Sequence, residues 1–218
     1  RKQSIRDSRV KSTALLARSM VLSKQRPKVW LCASAIGWYG NRGSEWVDEN
    51  DASGDGFLAR VCQEWEDATK PAVDAGIRVA NLRFGVVFSR DGGALKQMVS
   101  AFQFGVGGFI CDGEQYISWI ALEYAVAACL HALNNPFVRG PVNLTSPEPV
   151  TNRQLTKAIG AVLHRPTILP MPAFAARLAF GEMADEMLLA STRVRPARLL
   201  DSGFSFTYAT LDSALGAI

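Results

Sequence analysis

The sequence predicts an α/β fold: a doubly wound parallel sheet followed by a small, α-rich C-terminal subdomain. Two largely apolar runs, 28–36 and 77–88, are bounded by Pro or Gly and read as strands buried on both faces. They alternate with segments of helical periodicity, which implies parallel strands joined by right-handed helical crossovers. From Pro166 onward a Pro-Met-Pro break and short apolar stretches replace that rhythm. The expected domains are therefore 1–165 and 166–218.

Each element has its own warrant. Residues 3–23 read as a helix, because Ile5, Val10, Ala14, Ala17 and Val21 share one face and basic residues fill the rest. Pro27 follows its end. KVWLCASAI (28–36) is the first strand, and the polar, Gly-rich stretch 37–56 is a loop. A helix over 57–75 places Leu58, Val61, Cys62, Trp65 and Ala68 on its apolar face, with Gly76 as a C-cap candidate. IRVANLRFGVVF (77–88) is the second strand, with a turn at its end. A helix over 93–104 precedes an irregular, glycine-rich segment, 105–120. Ala121, Ala125, Ala128, Cys129 and Leu133 define a helix over 121–134, and PVNLT (141–145) a short strand. Thr151 with Gln154 forms a capping box for a helix ending near His164. The tail holds a short strand and two or three small helices. In such sheets the ligand crevice lies beyond the carboxyl ends of the strands. The loops after 28–36 and 77–86 are therefore the candidate site.

Composition narrows the function classes. At 218 residues and 48% hydrophobic, the chain can bury a substantial core. No apolar run reaches the ~18 residues of a membrane span. The net charge of +4 comes largely from nine Lys and Arg within the first 28 residues, opposed only by Asp7. Without aromatic interleaving or a binding motif, these charges read as a solvated helix face, and no nucleic-acid partner is expected. Cys32, Cys62, Cys111 and Cys129 are scattered and lack any CxxC spacing, which predicts reduced thiols in a soluble, intracellular protein. Cytoplasm and organelle matrix both fit. His131 and His164 lie far apart, and no metal site is expected.

Gly37-Trp38-Tyr39-Gly40-Asn41-Arg42-Gly43 has the spacing of a phosphate cradle. Such a cradle needs a helix to start at its last glycines. Here four carboxylates, Glu45, Asp48, Glu49 and Asp51, come next, and no helical period resumes before Phe57. The motif is read as a decoy.

Several stretches carry a family resemblance: SRVKST (8–13), SAIGWYG (34–40), FLARVCQEWE (57–66), RFGVVFSRDGGAL (83–95), GEQYISWI (113–120) and GPVNLTSPEPVTN (140–152). The chain resembles the extended short-chain dehydrogenase/reductases of the NAD(P)-dependent epimerase/dehydratase group. It is most similar to the SulA-like branch labelled "epimerase family protein". Residues 181–215 resemble the domain of unknown function that closes that branch. The resemblance implies a partial Rossmann-like sheet, NADP(H) as cofactor, and a small-molecule substrate of nucleotide-sugar type. It also implies that the branch's N-terminal third, with its glycine-rich turn, is missing, so that dinucleotide binding by these residues alone is weak. The first strand would then present a free edge to a partner or a second copy.

Site residues follow from the same resemblance. Ser34 matches the strand-end Ser that meets substrate, and Tyr39 is the acid–base candidate left in the loop. Arg9, Ser34, Arg83 and Val87 match cofactor-facing positions, Arg83 and Val87 through the turn after the second strand. Gln115 and Trp119 fall in the segment that covers substrate. The broad family's Tyr-x-x-x-Lys pair falls on Leu58 and Cys62. Neither can lower a phenol's pKa or take its proton at neutral pH. Ala121 stands where the branch has a histidine, with Glu123 near the place of a common Asp. Three functions follow: an NADP(H)-linked oxidoreductase or sugar-nucleotide epimerase with an atypical site; a non-catalytic NADP(H)-binding regulatory or interaction protein of cell- or organelle-division type; or an inactive fragment.

Overall fold

A computed structural model describes residues 2–89, 91–103, 107–167, 170–181, 183–206 and 210–215. The end of the helix expected at 93–104, the start of the glycine-rich segment and part of the strand expected after Pro166 lie outside them. In chain order the elements are α1 (Lys2–Leu22), β1 (Val29–Ala35), β2 (Trp46–Val47), α2 (Phe57–Asp67), α3 (Lys70–Asp74), β3 (Arg78–Phe84), β4 (Val86–Phe88), α4 (Gly93–Gln103), β5 (Tyr116–Ile117), β6 (Trp119–Ala121), α5 (Leu122–Asn134), β7 (Gly140–Leu144), β8 (Val150–Thr151), α6 (Asn152–Val162), α7 (Ala173–Phe180), β9 (Arg193–Val194), α8 (Ala197–Asp201) and α9 (Leu211–Leu215).

The central sheet has the order β1-β3-β7 and is parallel throughout. Successive side chains point to opposite faces. Ile77 and Val79 pack with Ala17 of α1 and Ala72 of α3 on one side. Ala80, Leu82, Val142 and Leu144 pack with Ala125, Ala128 and Ala132 of α5 on the other. Helices thus cover both faces, as the alternation of the sequence predicts. Among the described residues, nothing pairs with the outer edge of β1. A second core joins α4, α6 and α9 to the β4–β6 pair through Phe88, Leu95, Trp119, Leu155 and Leu215.

Four details depart from the sequence reading. The helix expected over 57–75 is two, because Pro71 has no N–H to offer the carbonyl one turn back, and the chain turns at Ala68–Thr69. The strand expected over 77–88 changes sheet at Gly85. Its N–H still bonds Leu144 of β7, whereas the N–H of Val86 turns to Ser118. A Cβ at position 85 would lie 2.7 Å from the Ser118 carbonyl, so only glycine fits the crossing. The loop 37–56 holds β2, which pairs with β9 in the tail. The segment before α5 contains β5 and β6. The Thr151–Gln154 capping box is present, and Gly76 follows α3 at φ +83°.

Candidate functional site

The parallel register sets Ser34, Arg83 and Asn143 side by side across β1, β3 and β7, near the carboxyl ends. From α2, the stripe Leu58–Cys62–Glu66 brings one carboxylate to this row at helical spacing. Arg83 grips Glu66 with two bonds, Nε to Oε1 at 2.8 Å and Nη2 to Oε2 at 3.0 Å. Ser34 donates to the same Oε1 at 2.7 Å. The other Arg83 nitrogen donates to the Tyr39 hydroxyl (3.0 Å), which donates to Asn143 Oδ1 (2.8 Å). The Asn143 N–H then meets Glu49 Oε1 at 2.8 Å, and its amide reaches the Arg195 carbonyl at 3.0 Å. Glu49 also accepts from the Arg198 N–H. The Trp38 ring lies over the guanidinium at 3.9 Å.

This chain of polar groups is buried: Arg83 is 2% exposed, Glu66 8%, Ser34 3% and Tyr39 0%. Such a network is stable only when its members satisfy one another. Burial pushes the Tyr39 phenol up to about 12 despite the opposing pull of Arg83. Burial, then the Glu66 charge, pushes the Cys62 thiol up to about 11, and burial pushes Cys32 to about 11. Burial raises Glu49 as well, against the backbone N–H groups it accepts. For Arg83, burial works against the charge, but the bonds from Glu66 and the field of Tyr39 hold it above its ordinary value.

The expected roles fit these surroundings unevenly. The acid–base role for Tyr39 sits poorly with its surroundings, because its buried hydroxyl already accepts from Arg83 and donates to Asn143. Ser34 spends its proton on Glu66 rather than on a substrate. Arg83 is a structural ion-pair residue whose guanidinium is closed to a cofactor. Trp119 is a core residue, 1% exposed, stacked on Phe88 with ring centroids 5.3 Å apart and donating to the Glu148 carbonyl. Gln115 is buried, its amide shared between the carbonyls of Ile110 and Leu188, and its Oε1 has no partner among the described residues. Val87 is half-buried in β4 opposite Ile120, just beyond the Gly85 crossing. Arg9 is half-buried on α1, with its guanidinium 5.4 Å from the Trp65 ring and one bond to the Ile5 carbonyl. Asp7 instead pairs with Lys11 and Arg6. The charge of Arg9 reaches Cys62.

Sequence reasoning missed Glu66, Asn143 and Glu49 as site residues. A signal for Glu66 was present: a carboxylate on the apolar stripe of an amphipathic helix needs a buried cation, and Arg83 interrupts a buried strand. Asn143 and Glu49 had none: Glu49 accepts from backbone N–H groups, and the Tyr39 partner of Asn143 lies 104 residues away in the chain. The Gly37–Gly43 motif forms a 3-10 turn over Ile36–Tyr39 and then runs to β2, so no helix begins at its glycines. Among the described residues, no His, Cys, Asp and Glu cluster could hold a metal ion, and no helix is long and apolar enough to cross a membrane.

Parallel strands flanked by helices, with this polar row beneath their carboxyl ends, define a Rossmann-like layer of the short-chain dehydrogenase/reductase class. An epimerase family protein of Mycobacterium leprae is 47% identical over 214 residues, 98% of this chain and 69% of its own length. The crystal structure of human epimerase family protein SDR39U1 with NADPH superposes with a TM-score of 0.94 at 31% identity, covering 100% of this chain and 74% of that one. A nucleoside-diphosphate sugar epimerase from Corynebacterium glutamicum superposes with a TM-score of 0.82 at 38% identity, covering 99% of this chain and 42% of that one. A domain of unknown function (DUF1731) matches residues 171–218. The chain belongs to the epimerase family proteins, an atypical branch of the extended short-chain dehydrogenase/reductases.

Proposed function

We propose that the chain forms the nicotinamide side of an NADP(H)-linked oxidoreductase or nucleotide-sugar epimerase whose proton transfers bypass the Tyr-x-x-x-Lys pair. The likeness along the whole chain to the human relative, whose crystal structure contains NADPH, carries this reading. The Corynebacterium relative, by its description, supports the substrate class. The residues present fit one end of the cofactor. Gly85 lets the chain between β3 and β4 run close to Ser118 and Thr145 at the strand ends, and Arg9 is a cation without a carboxylate partner among the described residues. These two places, with Val87, would hold the nicotinamide side. When bound, NADP(H) supplies the hydride. Among the described residues the Gly37–Gly43 motif starts no helix and so offers no diphosphate cradle, which supports weak binding by residues 1–218 alone.

The buried network favours a second reading, an NADP(H)-binding regulatory or interaction protein without turnover. The hydroxyls of Ser34 and Tyr39 and the thiol of Cys62 are all withheld from the crevice. In this reading the outer edge of β1, unpaired among the described residues, takes the partner strand.

Titration with NADPH while following tryptophan fluorescence tests the cofactor assignment. Shallow, saturable quenching is expected, and Arg9→Ala should weaken it about ten-fold, the scale of one lost charge-assisted contact. Absence of any saturable change would overturn the assignment.

A further inference from the structure

Helix α2 carries the positions at which the broader family keeps its Tyr and Lys, yet it has no cap of its own. Its N-cap is Gly56, at φ +106° and with no side-chain bond to the first turn. Helix starts leave N–H groups unpaired, and the positive end of the helix favours an anion. Here the anion comes from 129 residues away: Glu186 accepts from the Phe57 N–H at 3.0 Å and from the Leu58 N–H at 3.2 Å, one through each oxygen. A Cβ on Gly56 would stand 3.1 Å from that carboxylate, so the approach is close. The same first turns pack against the loop after β1. A Cβ at Gly37 would lie 3.5 Å from the Leu58 Cβ and 3.7 Å from the Cys62 sulfur.

The rest of the segment grips the other walls. Thr192 donates to the Gly40 carbonyl at 2.8 Å, and the Ser191 hydroxyl bonds the Gly43 carbonyl. Ser118, before β6, donates to the Thr192 carbonyl at 2.8 Å and accepts from the Val194 N–H at 2.9 Å.

We propose that the domain of unknown function is an intramolecular clamp whose Glu186 serves as the missing N-cap of α2. Glu186 is a positioning residue. It holds the first turn of α2 against the loop after β1 while residues 191–194 lock that loop to the segment before α5. Ligand affinity in the crevice and docking of the tail are then coupled through α2.

Amide exchange followed by NMR tests this without any cofactor, so its outcome is separate from that of the NADPH titration. In Glu186→Ala the Phe57 and Leu58 amides should exchange about five-fold faster or more, the scale of a lost cap. Glu186→Gln, which keeps one acceptor, should restore part of the protection. Asp185→Ala removes only the exposed pair with Arg177 and should leave both amides unchanged. The β3 amides should stay protected throughout. If Glu186→Ala unfolds the chain, the Gln variant decides: local loss at 57–58 supports the clamp, and no loss overturns it. Unchanged exchange in Glu186→Ala, or equal deprotection in Asp185→Ala, also overturns it.

Discussion

Arg83 and Glu66 meet inside the protein at 2% and 8% exposure, so neither can be hydrated if the other is lost. Glu66→Gln should therefore cost about 3 kcal/mol in chemical denaturation, whereas replacing both by Met should cost less than that single change. Glu49 gives a pH test. Its carboxyl lies above the unfolded value of about 4.3. The folded state thus holds that proton more tightly, and the stabilisation is complete below the unfolded value and disappears as pH rises through the folded one. Relative to Glu49→Gln, which cannot ionise, the unsubstituted chain should lose melting temperature as pH rises above the unfolded carboxyl value. The residue scale is also where the sequence was least legible. Tyr39 reads as a free loop phenol until the strand row is assembled. Only the register of three strands then shows that Arg83 and Asn143 close on it from both sides.

Among the elements, periodicity predicted helices well and their ends poorly. The apolar spacing of 57–75 continues through Ala68 and Ala72, but the backbone bond that Pro71 cannot make divides the helix. Gly85 likewise hides a change of sheet inside one hydrophobic run. Helix α5 shows a different excess. Ala125, Ala128 and Ala132 face the core, while Leu122, Val126, Leu130 and Leu133 are 42%, 52%, 54% and 42% exposed. Glu123 is the only Asp, Glu, Lys or Arg in this helix. A helix apolar on both sides has a covering face as well as a core face. Val126→Lys combined with Leu130→Lys should reduce binding of a hydrophobic dye several-fold and leave the melting temperature within the small range of surface changes. Dye fluorescence and thermal unfolding on the same samples check both halves.

For the whole molecule, the alternating order of strands and helices made the parallel sheet legible. The pairing of β2 with β9 was not legible, because two-residue strands have no period to read. Among the described residues no strand pairs with the outer edge of β1, which for residues 1–218 taken alone has a direct consequence. Self-association should increase with concentration in sedimentation velocity, and Ala33→Lys, which places a charge on the edge strand, should shift the chain toward the monomer.

The clamp also sets an order of events during synthesis. Trp46 and Val47 find Arg193 and Val194 only after all the intervening elements have been made. Until then the early loop and the first turn of α2 lack their fasteners, while the β1-β3-β7 sheet beneath them can already pair. A translating ribosome therefore produces the sheet first, and its mouth takes shape when residues 186–194 arrive.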